Sequence, residues 1–224
     1  TLDKERYPLM IERFMALAFE PGVDLPKPYP RPSLRIEEVS RAATLAKFGL
    51  SLDRPVLALC PGAEFGEAKR WPSEHYAKVA ELKIRAGWQV WIFGSKNDHP
   101  VGEDIRSRLI PGLREEAVNL AGETSLAEAI DLLSCAGAVV SNDSGLMHVA
   151  AALNRPLVAV YGSTSPGFTP PLAEQVEIVR LGLECSPCFD RTCRFGHYNC
   201  LRELKPRPVI EALDRLVADP VEVE

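Results

Sequence analysis

Residues 138–161 read AVVSNDSGLMHVAAALNRPLVAVY, and this stretch decides the fold. Ala138–Val140 and Leu157–Tyr161 are short apolar runs of strand length without an alternating polar face. Between them, Leu146, Val149, Ala150 and Leu153 recur at the three- and four-residue spacing of a helix with one buried side. A strand loses its polar face only when both of its sides are covered. Strand, helix and strand of this kind therefore predict a crossover unit of a parallel sheet packed between helices.

The alternation continues in both directions. Val56–Cys60 is a third apolar run, ended by Pro61-Gly62, and a helix with Tyr76, Val79, Leu82 and Ala86 inward stops at Gly87. Gln89–Phe93 reads as a strand closed by Gly94, Val101, Ile105 and Leu109 as a helix, and Val118–Leu120 as a short strand. Ser125 and Glu128 stand at capping-box spacing around a helix with Leu126, Ala129, Ile130 and Leu133 inward. Val176–Val179 is expected as an edge strand, and Val209, Ala212, Leu213 and Leu216 as a closing helix. The expectation for residues 55–224 is a Rossmann-like α/β domain with a parallel sheet and helices on both faces.

Residues 1–54 follow no such pattern. Tyr7, Met10, Ile11 and Phe14 form a helical stripe, and Ile36, Val39, Ala43 and Ala46 suggest a second one. Between them, Pro21–Pro32 holds five prolines and one glycine in twelve residues and cannot be a regular element. This part is expected to be the remnant of an N-terminal domain with a Pro-rich connector. The opening residue, Thr1, adds the expectation that further chain lies upstream.

The bulk numbers narrow the classes. With 224 residues, 46% hydrophobic and 25% charged, the chain has the balance of an ordinary globular domain. A net charge of −5 argues against a nucleic-acid partner, whose binding needs a basic excess. No apolar run approaches the ~18 residues of a membrane span, and no export signal opens the chain, so a cytoplasmic location is expected. Of the six cysteines, Cys60 and Cys135 lie in apolar runs and read as core thiols.

Ligands of open parallel sheets bind beyond the carboxyl ends of the strands. Four loops occupy that edge: Pro61–Trp71, Gly94–Asp98, Ser141–Gly145 and Gly162–Pro166. The loop Ser141–Gly145 runs from a strand directly into a helix, whose first N–H groups lack partners and carry the positive end of the dipole. A phosphate would be held there by Ser144 and Gly145. Asp143 would repel a phosphate, which leaves it to cap the helix or to bond a sugar hydroxyl; capping alone also explains Asn142 and Asp143. Lys69 and Arg70 bring two cations to the same edge, suited to neutralise a diphosphate leaving group without a metal ion, or simply solvated. Asp98 reads either as a ligand of ribose hydroxyls or as the N-cap of a helix beginning near Pro100. His148, one turn into the helix, faces either ligand or packing. G-x-G-x-x-G, Walker and G-x-S-x-G patterns are missing, which removes the main support for dehydrogenase, NTPase and hydrolase readings.

Two long segments carry a likeness. Pro61-Gly62-Ala63-Glu64-Phe65-Gly66 with Ala68-Lys69-Arg70-Trp71-Pro72, and Ser141-Asn142-Asp143-Ser144-Gly145-Leu146-Met147-His148-Val149-Ala150-Ala151-Ala152, resemble the signatures of glycosyltransferase family 9. Asn119–Thr124 and Phe168–Leu172 fit as well. The resemblance implies a two-domain GT-B fold, with this chain as its C-terminal, donor-binding half. It implies an inverting enzyme that moves L-glycero-D-manno-heptose from ADP-heptose to the first heptose of the lipopolysaccharide inner core. It makes Lys69 a ligand of the diphosphate and Asp143, Ser144 and Gly145 ligands of phosphate or heptose. Gly62, Ala63 and Glu64 would line the pocket, and Asp98 would take the ribose. No cofactor is implied for the transfer. The acceptor would be reached through the N-terminal domain at the cytoplasmic face of the inner membrane, and that domain would supply an aspartate base, so no catalytic residue is assigned here and the chain is expected to be inactive alone. Two readings stay beside it: a family member with another acceptor, and a nucleotide-sugar-binding module without catalysis.

Cys185, Cys188, Cys193 and Cys200, with His197 nearby, form a Cys-rich tail segment over residues 185–200. Their spacing is compatible with a structural tetrahedral zinc site, with two disulfides, or with free thiols in a packed loop.

Overall fold

The computed structural model describes residues 3–20 and 22–218. Thr1, Pro21 and the stretch beyond Ala218, which enter the expectations for the start, the connector and the domain end, lie outside the described residues. A six-stranded sheet is built from β1 (Val56–Cys60), β2 (Gln89–Ile92), β3 (Ala117–Asn119), β4 (Ala138–Asn142), β5 (Leu157–Val160) and β6 (Val176–Val179) in the order β3-β2-β1-β4-β5-β6. Every pairing is parallel. This is the doubly wound order in which the chain reverses its direction of winding between β1 and β4. The strands expected from apolar runs are present, β1 and β6 with the expected ends and the other four with ends shifted by one or two residues.

The helices are α1 (Met10–Ala16), α2 (Glu38–Phe48), α3 (Ser73–Arg85), α4 (His99–Ser107), α5 (Pro111–Arg114), α6 (Leu126–Leu133), α7 (Gly145–Ala152), α8 (Asn199–Arg202) and α9 (Pro206–Ala218). One face of the sheet packs Tyr76, Val79 and Ala80 of α3, Ile105 of α4, and Val209, Ala212 and Leu213 of α9. The other packs Ala129, Leu132 and Leu133 of α6, and Met147, Ala150 and Ala151 of α7. Alternate strand residues feed the two faces: Leu57 and Leu59 go to the first, Val56, Ala58 and Cys60 to the second. This arrangement accounts for the fully buried β1 and the missing polar alternation in its sequence.

Four helices present faces other than those expected. In α3, Leu82 and Ala86 are exposed, while Lys83 is buried with its ammonium on Asp214 of α9 at 2.8 Å. A long aliphatic stem fills an inward position as well as a leucine does when its charge finds a partner. In α2, Val39 is 82% exposed and Ala43 and Ala46 also face out; the inward residue is Thr44. Its hydroxyl (3.0 Å) and that of Ser40 (2.7 Å) donate to Asp131 of α6, while Leu45 and Phe48 pack against the core, so the helix is turned by polar and apolar contacts together. In α1, Phe14 is exposed and Glu12 buried, accepting from the Leu9 N–H at 2.9 Å and from the Tyr29 hydroxyl. Leu126 of α6 is exposed rather than packed on the core. Among the described residues no helix is long and apolar enough to cross a membrane.

Candidate functional site

The winding reversal opens a crevice between the ends of β1 and β4, and a cavity of about 690 Å³ lies there. Its volume falls within the usual range for small-molecule sites. Gly62, Ala63, Glu64, Lys69, Asp98, Asp143, Ser144, Gly145 and His148 all line it, so nine of the ten donor-site residues expected from the sequence come together. The tenth, Arg70, stands behind them: its guanidinium lies 3.4 Å from Oδ1 of Asp98.

Asn142 holds the crevice together. Its Oδ1 accepts from the Trp71 N–H (3.2 Å) and the Tyr76 hydroxyl (2.9 Å), and its Nδ2 donates to the Pro61 carbonyl (2.6 Å). The end of β4 is thereby tied to the loop after β1 and to the start of α3. Burial pushes the Tyr76 hydroxyl pKa well up, keeping this donor protonated. Asn142 does not cap α7.

Asp143 does not cap it either. Its Oδ2 accepts from Lys69 Nζ at 2.7 Å and from Thr164 Oγ1 at 2.7 Å, and the residue is 4% exposed. The strand end after β4 and the turn after β1 are therefore joined across the winding reversal by an ion pair. Lys69 closes a single 3-10 turn, Glu67–Lys69, and its ammonium also lies 4.9 Å from the centre of the Phe65 ring. Among the described residues it is the one lysine or arginine lining the cavity. Ser144 stands at the N-cap of α7 without a capping bond, and a side chain placed on Gly145 would meet nothing within 4 Å, so the helix start opens onto the cavity. Unpartnered N–H groups and one ammonium facing a concave space make an anion site. His148 lines the same space; the surrounding protein lowers its pKa, and the nearby Asp143 opposes that fall.

Asp98 turns back onto its own loop. Oδ2 accepts from the Ser95 N–H (3.0 Å) and hydroxyl (2.7 Å), closing the turn before α4, whose N-cap position Asp98 occupies as expected but without a side-chain capping bond. Gly62 and Gly94 make room for it: a Cβ on Gly62 would lie 2.4 Å from Asp98 Oδ2, and one on Gly94 2.7 Å from Asp98 Cβ. Sequence reasoning missed the wall formed by Thr124, Ser125, Leu126 and Ala129 at the start of α6, facing Leu146 and Val149 of α7. The exposed Leu126 belongs to this wall. It also missed Thr164, although the loop Gly162–Pro166 stands on the expected edge.

The Cys-rich segment braces the site from outside. The N–H groups of Cys188 (3.0 Å) and Phe189 (2.7 Å) donate to the Ser163 carbonyl, and the Arg191 carbonyl accepts from Ala68 N–H at 3.1 Å. Gly66 passes so close that a Cβ there would sit 2.4 Å from that carbonyl. Trp71 Nε1 donates to the Leu204 carbonyl at 2.8 Å. Of the three readings open for Cys185, Cys188, Cys193 and Cys200, zinc finds no support: among the described residues no group of three or more His, Cys, Asp or Glu side chains is placed to hold a metal. All four are free thiols, and backbone bonds with the buried Leu201 and Leu204 order the segment instead. Backbone N–H donors lower the Cys193 pKa, whereas burial raises that of Cys200 to about 11.

A doubly wound parallel sheet with an anion site at its winding reversal is the arrangement of a Rossmann-like ligand-binding domain. Residues 1–199 match glycosyltransferase family 9 (heptosyltransferase), and the chain belongs to that family. It is 48% identical to lipooligosaccharide heptosyltransferase 2 of Haemophilus influenzae, over 96% of this chain and 65% of that protein. It is 46% identical to lipopolysaccharide heptosyltransferase 2 of Escherichia coli, over 96% of this chain and 64% of that protein. The solved structure of the E. coli ADP-heptose lps heptosyltransferase II superposes with a TM-score of 0.88 at 45% identity, covering 97% of this chain and 64% of that one. The chain thus spans slightly less than two thirds of the length of these relatives.

Proposed function

We propose that this chain is the donor-binding portion of an inverting heptosyltransferase that moves L-glycero-D-manno-heptose from ADP-heptose onto the first heptose of the lipopolysaccharide inner core. The observation that carries the reading is the Lys69–Asp143 pair across the winding reversal, beside the open start of α7. In this reading Lys69 and the N–H groups of Ser144 and Gly145 take the diphosphate and stabilise the charge that grows on it as ADP leaves. Asp143, too negative to approach phosphate, takes a sugar hydroxyl. Gly62, Ala63, Glu64 and His148 shape the pocket around the donor, and Asp98 holds the Ser95 loop at the ribose end while Arg70 balances its charge. Deprotonation of the acceptor hydroxyl is assigned to a carboxylate of the partnering domain of the GT-B fold, so the chain alone is expected to bind donor without turnover. The transfer so described needs no cofactor. Work on a lipid-linked acceptor would place the whole protein at the cytoplasmic face of the inner membrane.

Support comes from the names of the relatives, which act in lipopolysaccharide or lipooligosaccharide synthesis. Titration calorimetry of the chain with ADP-heptose, and with UDP- and GDP-sugars in parallel, tests the reading. Selective binding of the ADP-sugar is expected; equal or absent binding of all three would refute it.

A further inference from the structure

The two donors on Asp143 differ in kind. Lys69 lines the cavity, so an incoming diphosphate competes for its ammonium. Thr164 does not line the cavity and is 5% exposed, and its hydroxyl has Asp143 Oδ2 as its acceptor at 2.7 Å. It follows β5 by four residues, in the turn whose Ser163 carbonyl is pinned by the N–H groups of Cys188 and Phe189. The hydroxyl is therefore presented from a braced backbone and lies out of a ligand's reach. The other carboxylate oxygen, Oδ1, accepts no hydrogen bond from the described residues, and Asp143 itself faces the cavity.

From this we infer that Thr164 is a positioning residue for donor-sugar recognition: it holds Asp143 in place when Lys69 is drawn to the diphosphate, so that Oδ1 stays aimed at a sugar hydroxyl. The inference rests on the donor-site reading above. A carboxylate beside a diphosphate is pushed away by like charge, and with Lys69 engaged elsewhere its remaining anchor is a hydroxyl that stands outside the cavity lining. Nucleotide binding does not use Oδ1; binding of the sugar does.

The test compares ADP with ADP-heptose by calorimetry for the unsubstituted chain, Thr164→Val and Thr164→Ser. Valine keeps the branched shape and removes the hydroxyl; serine keeps the hydroxyl. The expected result for Thr164→Val is an ADP-heptose affinity lower by about tenfold or more, the loss for a hydrogen bond to a charged group. Its ADP affinity should stay within about twofold, the scatter of a neutral substitution. Thr164→Ser is expected to restore sugar recognition. Equal weakening of both ligands would mark a merely structural residue, and that outcome, an unchanged preference, or failure of serine to restore it would overturn the inference. Failure of the unsubstituted chain to bind ADP-heptose would instead overturn the donor-site reading, and this inference with it, before any variant is compared.

Discussion

Removing Lys69 should damage the anion site twice over, and the two losses can be separated. Lys69→Ala takes from the diphosphate a charge-assisted hydrogen bond, a loss of about 1.5–3 kcal/mol. It also strips Asp143 of its countercharge while leaving the carboxylate buried at the cavity wall with Thr164 as its remaining donor. A phosphate roughly 6 Å from that bare carboxylate, at an effective dielectric of about 20, meets a repulsion of about 3 kcal/mol. The single variant is therefore expected to lose at least a hundredfold in ADP affinity. Adding Asp143→Asn removes the repulsion but keeps an acceptor for Thr164, and should restore about 2 kcal/mol, roughly thirtyfold. ADP is the right probe because it lacks the sugar that Asp143 is proposed to contact. Calorimetry at low salt reads the affinities, and a thermal melt of each variant confirms folding. Unchanged ADP affinity in Lys69→Ala, or further weakening on adding Asp143→Asn, would refute the reasoning.

Asn142→Ala breaks three buried hydrogen bonds, to Trp71, Tyr76 and Pro61, and is expected to destabilise the chain by about 3 kcal/mol in urea unfolding; a loss under about 1 kcal/mol would mean that the bracket is dispensable. Gly62→Ala forces a methyl group to within 2.4 Å of Asp98 Oδ2 and should lower stability by about 1–3 kcal/mol, so an unchanged melting temperature would show that Asp98 yields freely. His75 is 8% exposed, and burial lowers its pKa below the ordinary 6.5. Below that pH the unfolded chain takes up a proton that the folded one resists, so the stability contribution present above about pH 6.5 is lost as pH falls through the folded value. His75→Phe should flatten the stability profile in that window, and identical profiles would contradict this assignment.

The strands were legible because burial on both faces leaves an unbroken apolar run, and Val56–Cys60, Ala138–Val140 and Leu157–Tyr161 carry that mark. Once they are read as parallel, the loops that follow them must lie on the ligand edge, and Lys69, Asp143, Ser144 and Gly145 could be selected without coordinates. Helix rotation was less legible. Periodicity counts apolar residues, whereas α2 also turns Ser40 and Thr44 onto Asp131 beside Leu45 and Phe48, and α3 buries Lys83 because Asp214 answers it. Cysteine spacing was compatible with a metal, with disulfides or with free thiols, and it could not choose among them because that depends on side-chain orientation in the fold.

Local chemistry in the chain was thus enough to specify the layered α/β architecture and the edge on which a ligand sits, since both follow from near-neighbour patterning and the handedness of strand connections. Which polar groups pair with which was decided only by the folded arrangement. Asn142 as a bracket, Asp98 turned onto Ser95, and Asp143 shared between Lys69 and Thr164 depend on atoms from segments far apart in sequence. A hydrogen bond requires its partners within about 3 Å and correctly aimed, a condition that no spacing along a single chain can express.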